Sequence, residues 1–327
     1  MDFNNKIILI TGGTGSFGQE FTEVVLKEYK PKAMRILSRG EFLQWEMAKK
    51  FNDPRLRFLI GDVRDKDRIY RAMNGVDIVV HAAALKQIPT AEYNPIEAIN
   101  TNISGTINVI NAAIDNSIEK AMLISTDKAV NPLNLYGATK LCAEKLFIQA
   151  NSYAAGRKTR FSCVRYGNVV GSRGSVIPLF LGQKEKGLLT VTDKRMTRFW
   201  ITLEQGIKFV IKGIDEMKGG EIFIPKIPSM KLIDLAVLIA PNAKIKVTGI
   251  RPGEKLHEVL LSPEEARHSK EFDKYFVIEP EFPFWDEDNF KEGKLLSDGF
   301  GYSSDNNKEW LNEEQMKTIL KNLNIKE

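Results

Sequence analysis

The 327-residue chain has little cysteine and no long apolar segment. Its two cysteines, Cys142 and Cys163, form no Cys-x-x-Cys motif, so we expect no disulfide framework, no zinc site and no other metal. No apolar run approaches the ~18 residues of a membrane-spanning helix, and the first strand begins soon after Met1, without a targeting segment. We therefore expect a cytoplasmic protein without a membrane partner.

Basic tracts, low-complexity linkers and internal repeats are also missing. The formal net charge is +5, but the basic residues are scattered. We expect no nucleic-acid partner, whereas a small anionic ligand such as a nucleotide remains compatible with this charge. With 43% hydrophobic and 27% charged residues, the composition is that of an ordinary globular protein. The length suffices for one large α/β unit or two smaller domains.

Short apolar runs alternate with helical patterns in the first half of the chain, including a helical pattern over Asn94–Asn116. We predict strands at Lys6–Ile10, Met34–Leu37, Arg55–Ile60, Val76–Val80, Ala121–Ile124 and Thr159–Arg165. This alternation predicts an α/β fold with a parallel, doubly wound sheet, a Rossmann domain, over residues 1–169. Beyond it the pattern weakens, so we assign residues 170–327 mainly to a smaller substrate-binding domain, with part of 201–226 returning to the first.

A glycine-rich turn connects the first strand to an amphipathic helix. Its spacing is Gly-x-x-Gly-x-x-Gly. Glycines allow the backbone to turn tightly and approach a pyrophosphate, whose charge the helix N-terminus then meets. Because the turn lies between a strand and a helix, it predicts a dinucleotide site. The residues of this predicted site are Gly12, Thr14, Gly15, Ser16, Phe17 and Gly18.

The second strand ends in Ser38 and Arg39. An NAD-preferring domain presents an acidic residue to the ribose hydroxyls here, whereas a serine and an arginine suit a 2′-phosphate. We therefore expect NADP, although Arg39 stacking on adenine is an alternative role. Asp62 and Val63 follow the third strand and are predicted to contact adenine. His81, at the end of the fourth strand, is expected to be a hydrogen-bonded structural residue.

The stretch after the fifth strand contains the candidate catalytic residues. Tyr136 and Lys140 are four residues apart, which places both on one helix face. A nearby cation lowers the pKa of a phenol by about one to three units, so the tyrosine is expected to act as a base near neutral pH. Thr126, Asp127 and Lys128 lie where a parallel strand ends, the edge at which open α/β sheets bind ligands. The alternatives are a chance Tyr-x-x-x-Lys and a structural Asp–Lys pair.

Together these motifs resemble the extended short-chain dehydrogenase/reductases that act on nucleotide sugars. Within them, the chain is most similar to the inverting UDP-N-acetylglucosamine 4,6-dehydratases of pseudaminic acid biosynthesis. The similar segments are Thr11–Gly18, Ser38–Arg39, Gly61–Arg64, Ala82–Lys86, Ser125–Lys140, Arg165–Ser175, Met196–Trp200, Ile222–Met230 and Gly249–Glu258. Relatives that are retaining or membrane-anchored often carry methionine at the position of Tyr136, which favours the inverting group. Gly40 replaces an expected acidic residue and leaves the cofactor choice open.

The resemblance implies a redox-neutral dehydration of a UDP-sugar with inversion at C5. Tyr136, aided by Thr126 and Lys140, would remove the proton of the C4 hydroxyl while NADP takes the C4 hydride. Lys128 would then take the C5 proton, and Asp127 would protonate the departing C6 hydroxyl before hydride returns to C6. Burial favours a neutral amine beside a protonated carboxyl over the ion pair.

The resemblance also implies a homo-oligomer and a UDP-sugar site in the second half of the chain. An arginine fork suits phosphate oxygens. The residues implied on the substrate side are Lys86, Asn168, Arg173, Arg198 and Arg251, and Ala82 and Val169 are added on the cofactor side. Phe199 and Trp200 are candidates for stacking on uracil or for core packing.

Two other functions stay open. A nucleotide-sugar C4-epimerase would use Thr126, Tyr136 and Lys140 but would not need an Asp–Lys acid/base pair. A regulatory protein that senses NADP would keep the fold without the chemistry.

Overall fold

The computed structural model describes residues 3–154, 156–172, 175–282 and 290–322. Strands lie at β1 Ile7–Thr11, β2 Ala33–Ser38, β3 Leu56–Ile60, β4 Ile78–His81, β5 Lys120–Thr126, β6 Arg160–Tyr166, β7 Asn168–Val169, β8 Leu188–Val191, β9 Thr197–Ile201, β10 Ile222–Pro225, β11 Ser229–Lys231, β12 Lys244–Val247, β13 Val259–Leu261, β14 Ser269–Glu271, β15 Tyr275–Ile278, β16 Lys294–Leu295 and β17 Tyr302–Ser303. Helices lie at α1 Ser16–Glu28, α2 Glu41–Phe51, α3 Lys66–Met73, α4 Ile88–Tyr93, α5 Pro95–Ile99, α6 Gly105–Asp115, α7 Leu135–Tyr153, α8 Val176–Lys184, α9 Leu203–Glu216, α10 Leu232–Ile239, α11 Pro263–Ala266 and α12 Glu313–Asn322.

The main sheet has the order β16-β14-β15-β10-β6-β5-β4-β1-β2-β3 in the described part of the chain. From β10 to β3 every neighbouring pair is parallel, which confirms the predicted α/β class and doubly wound sheet. The strand order reverses between β1 and β4. In open α/β sheets, ligands bind outside the carboxyl ends of the strands at such a reversal.

The other edge of the sheet adds antiparallel strands to the predicted parallel, doubly wound sheet. β15 pairs antiparallel with β10, and β14 pairs antiparallel with both β15 and β16. The connection from β14 to β15 is only a few residues long, which suffices for a hairpin but not for the helical crossover that a parallel pair needs. The sheet therefore includes residues from well beyond 226, a part of the chain in which the strand–helix pattern is weak.

Two apolar cores support the cavity described below. The larger is formed by the central strands of the sheet and the helices packed on both faces, and its members include Leu9, Val79 and Phe161, none of them exposed. The smaller joins α8, α10 and β8 and includes Trp200 and Leu235. Within the described ranges, none of the helices is long and apolar enough to cross a membrane.

The helix predicted over Asn94–Asn116 is interrupted. Between α5 and α6 the chain forms a π-helical turn over Asn100–Ser104. Such turns are frequent at functional sites. Here the turn carries Asn102, whose side chain accepts a hydrogen bond from Leu85 N at 2.8 Å and donates to Leu85 O at 3.0 Å and to Thr139 Oγ1 at 2.9 Å. The interruption therefore fixes the loop after β4 against α7.

Candidate active site

A cavity of about 1340 Å³ lies at the carboxyl ends of the parallel strands. Its walls come from both halves of the chain. The predicted site residues that line it are Gly12, Thr14, Gly15, Ser16, Phe17, Ser38, Arg39, Asp62, Val63, Ala82, Lys86, Thr126, Asp127, Lys128, Tyr136, Lys140, Asn168, Val169, Arg198 and Arg251. Gly18 does not line it and packs within the turn, since a Cβ there would lie 2.4 Å from Gly13. Arg173 lies outside the described residues.

The glycine-rich turn forms a cradle at one end of the cavity. Gly12 has φ +68°, and a Cβ there would lie 2.9 Å from Ala83 Cα. Helix α1 begins at Ser16, and its N-cap residue, Gly15, provides no side-chain cap. The first N–H groups of a helix need such partners or an anion. The cradle therefore fits a pyrophosphate.

Ser38 and Arg39 lie beside the cradle. Gln44 Nε2 donates to the Ser38 hydroxyl and to its carbonyl, both at 3.0 Å, which fixes the serine side chain at the cavity wall. The Arg39 side chain is 59% exposed, and its Nη1 is 3.9 Å from Asp62 Oδ2, so that long ion pair leaves most of the guanidinium accessible. Asp62 is held more closely by Arg64, at 2.7 Å.

Thr126, Asp127 and Lys128 meet at the end of β5. The chain leaves the strand in a 3₁₀ turn over Asp127–Ala129. Thr126 Oγ1 and Lys128 Nζ both donate to Asp127 Oδ1, each at 3.0 Å. Asp127 is 1% exposed, and its Oδ2 has no hydrogen-bond partner among the described residues. The structure thus brings a hydroxyl, a carboxyl and an amine together in a cavity wall.

Helix α7 begins against this turn because residue 137 has no side chain. A Cβ on Gly137 would lie 2.1 Å from the Lys128 carbonyl oxygen. Asn134 caps the helix, with its Oδ1 accepting from Gly137 N at 2.8 Å. Because the start of α7 contacts the Asp127–Ala129 turn, Tyr136 lies in the same cavity wall as Asp127 and Lys128.

The expected effect of Lys140 on Tyr136 is wrong for this structure. Burial raises the pKa of Tyr136 to about 12, and the groups that oppose the rise are Lys128 and the hydrogen-bonded Thr126 side chain. Lys140 Nζ donates instead to Ile124 O at 2.7 Å, and burial lowers the pKa of this lysine to about 8. The spacing of four residues places Tyr136 and Lys140 on one face of the helix, but it does not indicate where the Lys140 amine points.

The expectation of a neutral Lys128 is also wrong, because two carboxylates, Asp127 and Glu258, lie beside it. Burial lowers the pKa of Lys128, but Asp127 and Glu258 raise it by more, so it lies above its usual range. Glu258 Oε1 is 3.3 Å from Lys128 Nζ. Burial raises the pKa of Asp127 against the opposing charge of Lys128. The lysine is therefore an ammonium in this state.

The predicted substrate residues have different surroundings. Arg198 is 7% exposed and donates to Thr197 O at 2.7 Å and to Lys255 O at 3.0 Å, so binding a diphosphate through its fork would require these bonds to break. Arg251 is 59% exposed at the cavity edge. Asn168 Oδ1 is buried at the cavity wall and has no hydrogen-bond partner within the described ranges. Burial and the charge of Lys128 lower the pKa of Lys86.

Three residues near the site are structural. Phe199 and Trp200, at 0% and 2% exposure, pack in the cores and do not line the cavity, so the suggested stacking on uracil is not supported. His81 is hydrogen-bonded to Thr11 at 2.7 Å and to Thr106 at 3.1 Å, which confirms its structural role. Burial lowers the pKa of His81 to about 3.

Residues 8–280 match the family model described as "Polysaccharide biosynthesis protein". The chain belongs to this family. One curated relative, the UDP-N-acetylglucosamine 4,6-dehydratase (inverting) of Campylobacter jejuni subsp. jejuni serotype O:2, is 54% identical over 97% of this chain and 98% of its own. The UDP-glucose 4-epimerase of Rickettsia bellii is 42% identical, over 98% of this chain and 97% of its own.

Solved structures show the same fold. The X-ray structure of Pen from Bacillus thuringiensis matches with a TM-score of 0.91 and 41% identity over 98% of this chain and 99% of its own. DesIV, a dTDP-glucose 4,6-dehydratase from Streptomyces venezuelae with NAD and TYD bound, matches with a TM-score of 0.69 and 22% identity over 76% of this chain and 86% of its own. The fold is the Rossmann fold of the extended short-chain dehydrogenase/reductases.

Two residues that organise the site, Asn102 and Glu258, lie in segments whose local sequence pattern indicates no such role. Asn102 was seen only as part of a helix, although a π-helical turn aims it at the loop after β4. Glu258 lies within a segment that carried the family resemblance, yet nothing local indicates its contact with Lys128, a residue far away in sequence. The role of Glu258 becomes visible only in the folded structure, where it lies in a cluster of buried charges.

Proposed function

We propose that this protein is an NADP-dependent UDP-N-acetylglucosamine 4,6-dehydratase that inverts C5. The observation that carries the proposal is the pair of buried Asp127 and half-buried Lys128 in the same cavity as Thr126 and Tyr136. Oxidation of C4 needs only the second pair, whereas loss of water from C5 and C6 also needs an acid and a base. The name and the 54% identity of the Campylobacter jejuni relative support the same reaction.

The cavity fits a nicotinamide dinucleotide. The cradle at Gly12 would be filled by a Cβ, and helix α1 begins without a side-chain cap, so this end suits the pyrophosphate. We propose that Ser38 and Arg39 hold the 2′-phosphate of NADP, because the hydroxyl is fixed and the guanidinium is accessible. When bound, the cofactor supplies a hydride acceptor for C4 and a hydride donor for C6.

Tyr136 and Thr126 would hold the C4 hydroxyl of the sugar. Thr126 and Lys128 lie beside the Tyr136 phenol and oppose the rise of its pKa. Because that pKa is about 12 in this state, the phenol must release its proton to solvent before Tyr136 Oη can take the proton of the C4 hydroxyl. Lys140, which is 4% exposed and anchored to Ile124 O, would fix the helix start and face the cofactor ribose. The role of this lysine is therefore orientation and positive charge.

Asp127 and Lys128 would perform the elimination. Once C4 is a ketone, the C5 proton is acidic and moves to Lys128 Nζ, while the Asp127 proton moves to the C6 oxygen and water leaves. Because the resting lysine is an ammonium, its proton must first pass to the carboxylate that it contacts at 3.0 Å. That transfer changes neither the number of protons nor the charge of the pair.

We propose that residues 170–327 mainly bind the nucleotide half of the substrate. Arg251, at the cavity edge, and Arg173 would meet the diphosphate. From the first domain, Lys86 would reach the sugar, and Asn168 Oδ1, which has no hydrogen-bond partner within the described residues, would accept from a sugar hydroxyl. Arg198 would contribute positive charge from the cavity wall without binding the diphosphate through its fork, since its N–H groups already donate to carbonyls.

A C4-epimerase is the second candidate, because the Rickettsia bellii relative carries that name. Incubation with UDP-N-acetylglucosamine and mass spectrometry distinguishes the two. We expect a product that has lost one water, with an inverted C5 by NMR. An unchanged mass with a changed sugar would establish epimerisation and refute the dehydratase.

Three finer proposals complete this account. The resemblance to the inverting group supports a place in pseudaminic acid biosynthesis, and the absence of a spanning helix within the described ranges is compatible with a cytoplasmic location. A homo-oligomer is supported by exposed apolar side chains on neighbouring helices, Tyr93 at 87% and Ile96 at 69%. Sedimentation analysis tests the last proposal, since a monomer at all concentrations would exclude it.

A further inference from the structure

Glu258 is a buried carboxylate that the reaction steps above do not use. It is 2% exposed, and its Oε1 is 3.3 Å from Lys128 Nζ and 3.7 Å from Arg198 Nε. Its Oε2 is 3.9 Å from Lys255 Nζ and has no hydrogen-bond partner among the described residues. A buried charge is costly unless it is paired. This carboxylate is therefore the negative centre of a cluster of cations at the cavity wall.

The C-terminal part of the chain fixes the backbone of Glu258. Glu258 N donates to Ser304 Oγ at 2.9 Å, and Ser304 N donates to Glu258 O at 2.8 Å. Strands β13 and β17, which follow Glu258 and precede Ser304, pair antiparallel. The Ser304 hydroxyl is also 2.6 Å from Thr197 Oγ1. The carboxylate consequently approaches Lys128 from a rigid support rather than from a loose loop.

Without Glu258, the positive charges around the Asp127–Lys128 pair would lower its affinity for its proton. Lys86, Arg198 and Lys255 each face the pair from a different segment, and positive charge lowers the proton affinity of a neighbour. Lys255 is also anchored beside the pair, 3.5 Å from Asp127 O. Tyr136 is the remaining titratable group that faces it. Of the ionised groups that face the pair in the described structure, only Glu258 is negative.

We infer that Glu258 is a positioning residue that keeps one exchangeable proton on the Asp127–Lys128 pair, an inference that rests on the proposed dehydratase function. Elimination needs a proton on the carboxyl and none on the amine. The ion pair, with its proton on the amine, holds the same number of protons as this neutral form. Both forms therefore belong to one titration state of the pair, which gains a second proton at lower pH and loses its one proton at higher pH. Glu258 neither gains nor loses a proton in the step, because the C5 proton ends on Lys128 and the Asp127 proton ends on the departing water.

A negative neighbour raises both macroscopic pKa values of the pair, so its removal must lower both. We expect Glu258→Gln to move both limbs of the pH profile for water loss to lower pH, by about one unit or more. The assay is a single turnover of NADP-loaded enzyme with UDP-N-acetylglucosamine, followed by mass analysis of the quenched sugar at a series of pH values. Glu258→Asp keeps the charge and should leave the limbs near their original pH while slowing the step.

The matched control is Glu265→Gln. This carboxylate is also ion-paired, with Arg165 at 2.9 Å, but it does not line the cavity. The control variant should lose stability and keep both limbs in place. Unmoved limbs in Glu258→Gln, with or without a slower reaction, would overturn the inference. If that variant does not fold, Ser304→Ala, which loosens the support of Glu258, should move the limbs in the same direction by less, and an unchanged profile would overturn the inference equally.

A measurement without turnover separates failure of this inference from failure of the proposed function. The carboxyl ¹³C resonance of Asp127, assigned by its loss in Asp127→Asn, can be titrated without substrate. We expect the Asp127 carboxyl to lose its proton at lower pH in Glu258→Gln than in the unmodified protein, and this result does not depend on which substrate the enzyme uses. An identical titration would refute the inference even if water loss is observed, whereas an unreactive protein with the expected shift would refute only the dehydratase.

Discussion

Gly137→Ala tests whether the contact between helix α7 and the Asp127–Ala129 turn sets the geometry of the site. The added Cβ would lie 2.1 Å from the Lys128 carbonyl oxygen, whereas real Cβ atoms almost never approach closer than 3.0 Å. The neighbouring atom is backbone, so the turn and the helix must move apart. Overpacking of this kind costs about 1–3 kcal/mol, and each kcal/mol lowers Tm by about 2–4 °C in domains of 150–250 residues.

The effect on turnover should be larger than the effect on stability. A misplacement of about 1 Å near reacting groups costs about a hundredfold in rate, and this substitution displaces Lys128 relative to Tyr136. We therefore expect Tm to fall by a few degrees and kcat for water loss to fall about a hundredfold. Differential scanning calorimetry and a steady-state assay with UDP-N-acetylglucosamine measure the two quantities.

Gly182→Ala is the matched control, because Gly182 is exposed in helix α8 and a Cβ there would meet nothing within 4 Å. Alanine is favoured over glycine in a helix by about 0.8–1.0 kcal/mol, so this variant should be as stable as the original or more so, with unchanged kcat. The reasoning fails if Gly137→Ala keeps the original Tm and kcat.

Three further outcomes are expected. Histidine in the unfolded chain binds a proton below its ordinary pKa of 6.5, whereas burial lowers the pKa of His81 in the folded protein to about 3. Acidification from pH 7.5 to 5 should therefore lower the unfolding free energy by about 2 kcal/mol, a loss that His81→Gln should not show. Equal losses for the two proteins in urea titrations would contradict this. Arg39→Ala should weaken NADP binding about ten- to a hundredfold by loss of a charge-assisted hydrogen bond and spare NAD, so equal losses for both cofactors in fluorescence titrations would exclude a 2′-phosphate site. In heavy water, NMR of the product should show deuterium at C5 and the original C4 hydrogen at C6, and retention of the C5 hydrogen or washout of the C4 label would contradict the mechanism.

Local patterns were sufficient for the parallel sheet and for most of the cavity wall. The turn at Gly12, the pair Ser38 and Arg39, and the stretch from Thr126 to Lys140 each lie within or next to one strand–turn–helix unit, so spacing indicates the edge of the sheet at which they lie. The antiparallel edge was missed because β14 and β15 are short strands in a region that is otherwise rich in turns.

Long-range contacts and desolvation could not be predicted. Lys128 lies close to Glu258 only because the C-terminal segment holds Glu258 in place, and Glu258 adds to the larger effect of Asp127 in keeping the lysine charged. The pKa of Tyr136 is determined mainly by burial and not by Lys140, which lies four residues further along the helix. These effects depend on which groups are removed from water together, a quantity that residue spacing does not report.

The proposed mechanism divides the reaction in one cavity between two pairs of residues: Tyr136 with Thr126 oxidises C4, and Asp127 with Lys128 eliminates water. The most direct test compares Tyr136→Phe with Lys128→Ala in a single turnover, with absorbance of the reduced nicotinamide and mass of the quenched sugar as readouts. We expect Tyr136→Phe to slow cofactor reduction. Lys128→Ala should reduce the cofactor normally and then accumulate a 4-keto sugar that keeps its C6 oxygen, with water loss slowed about a hundred- to ten-thousandfold. Equal loss of cofactor reduction in both variants would contradict the claim and assign Lys128 to binding or to the oxidation step.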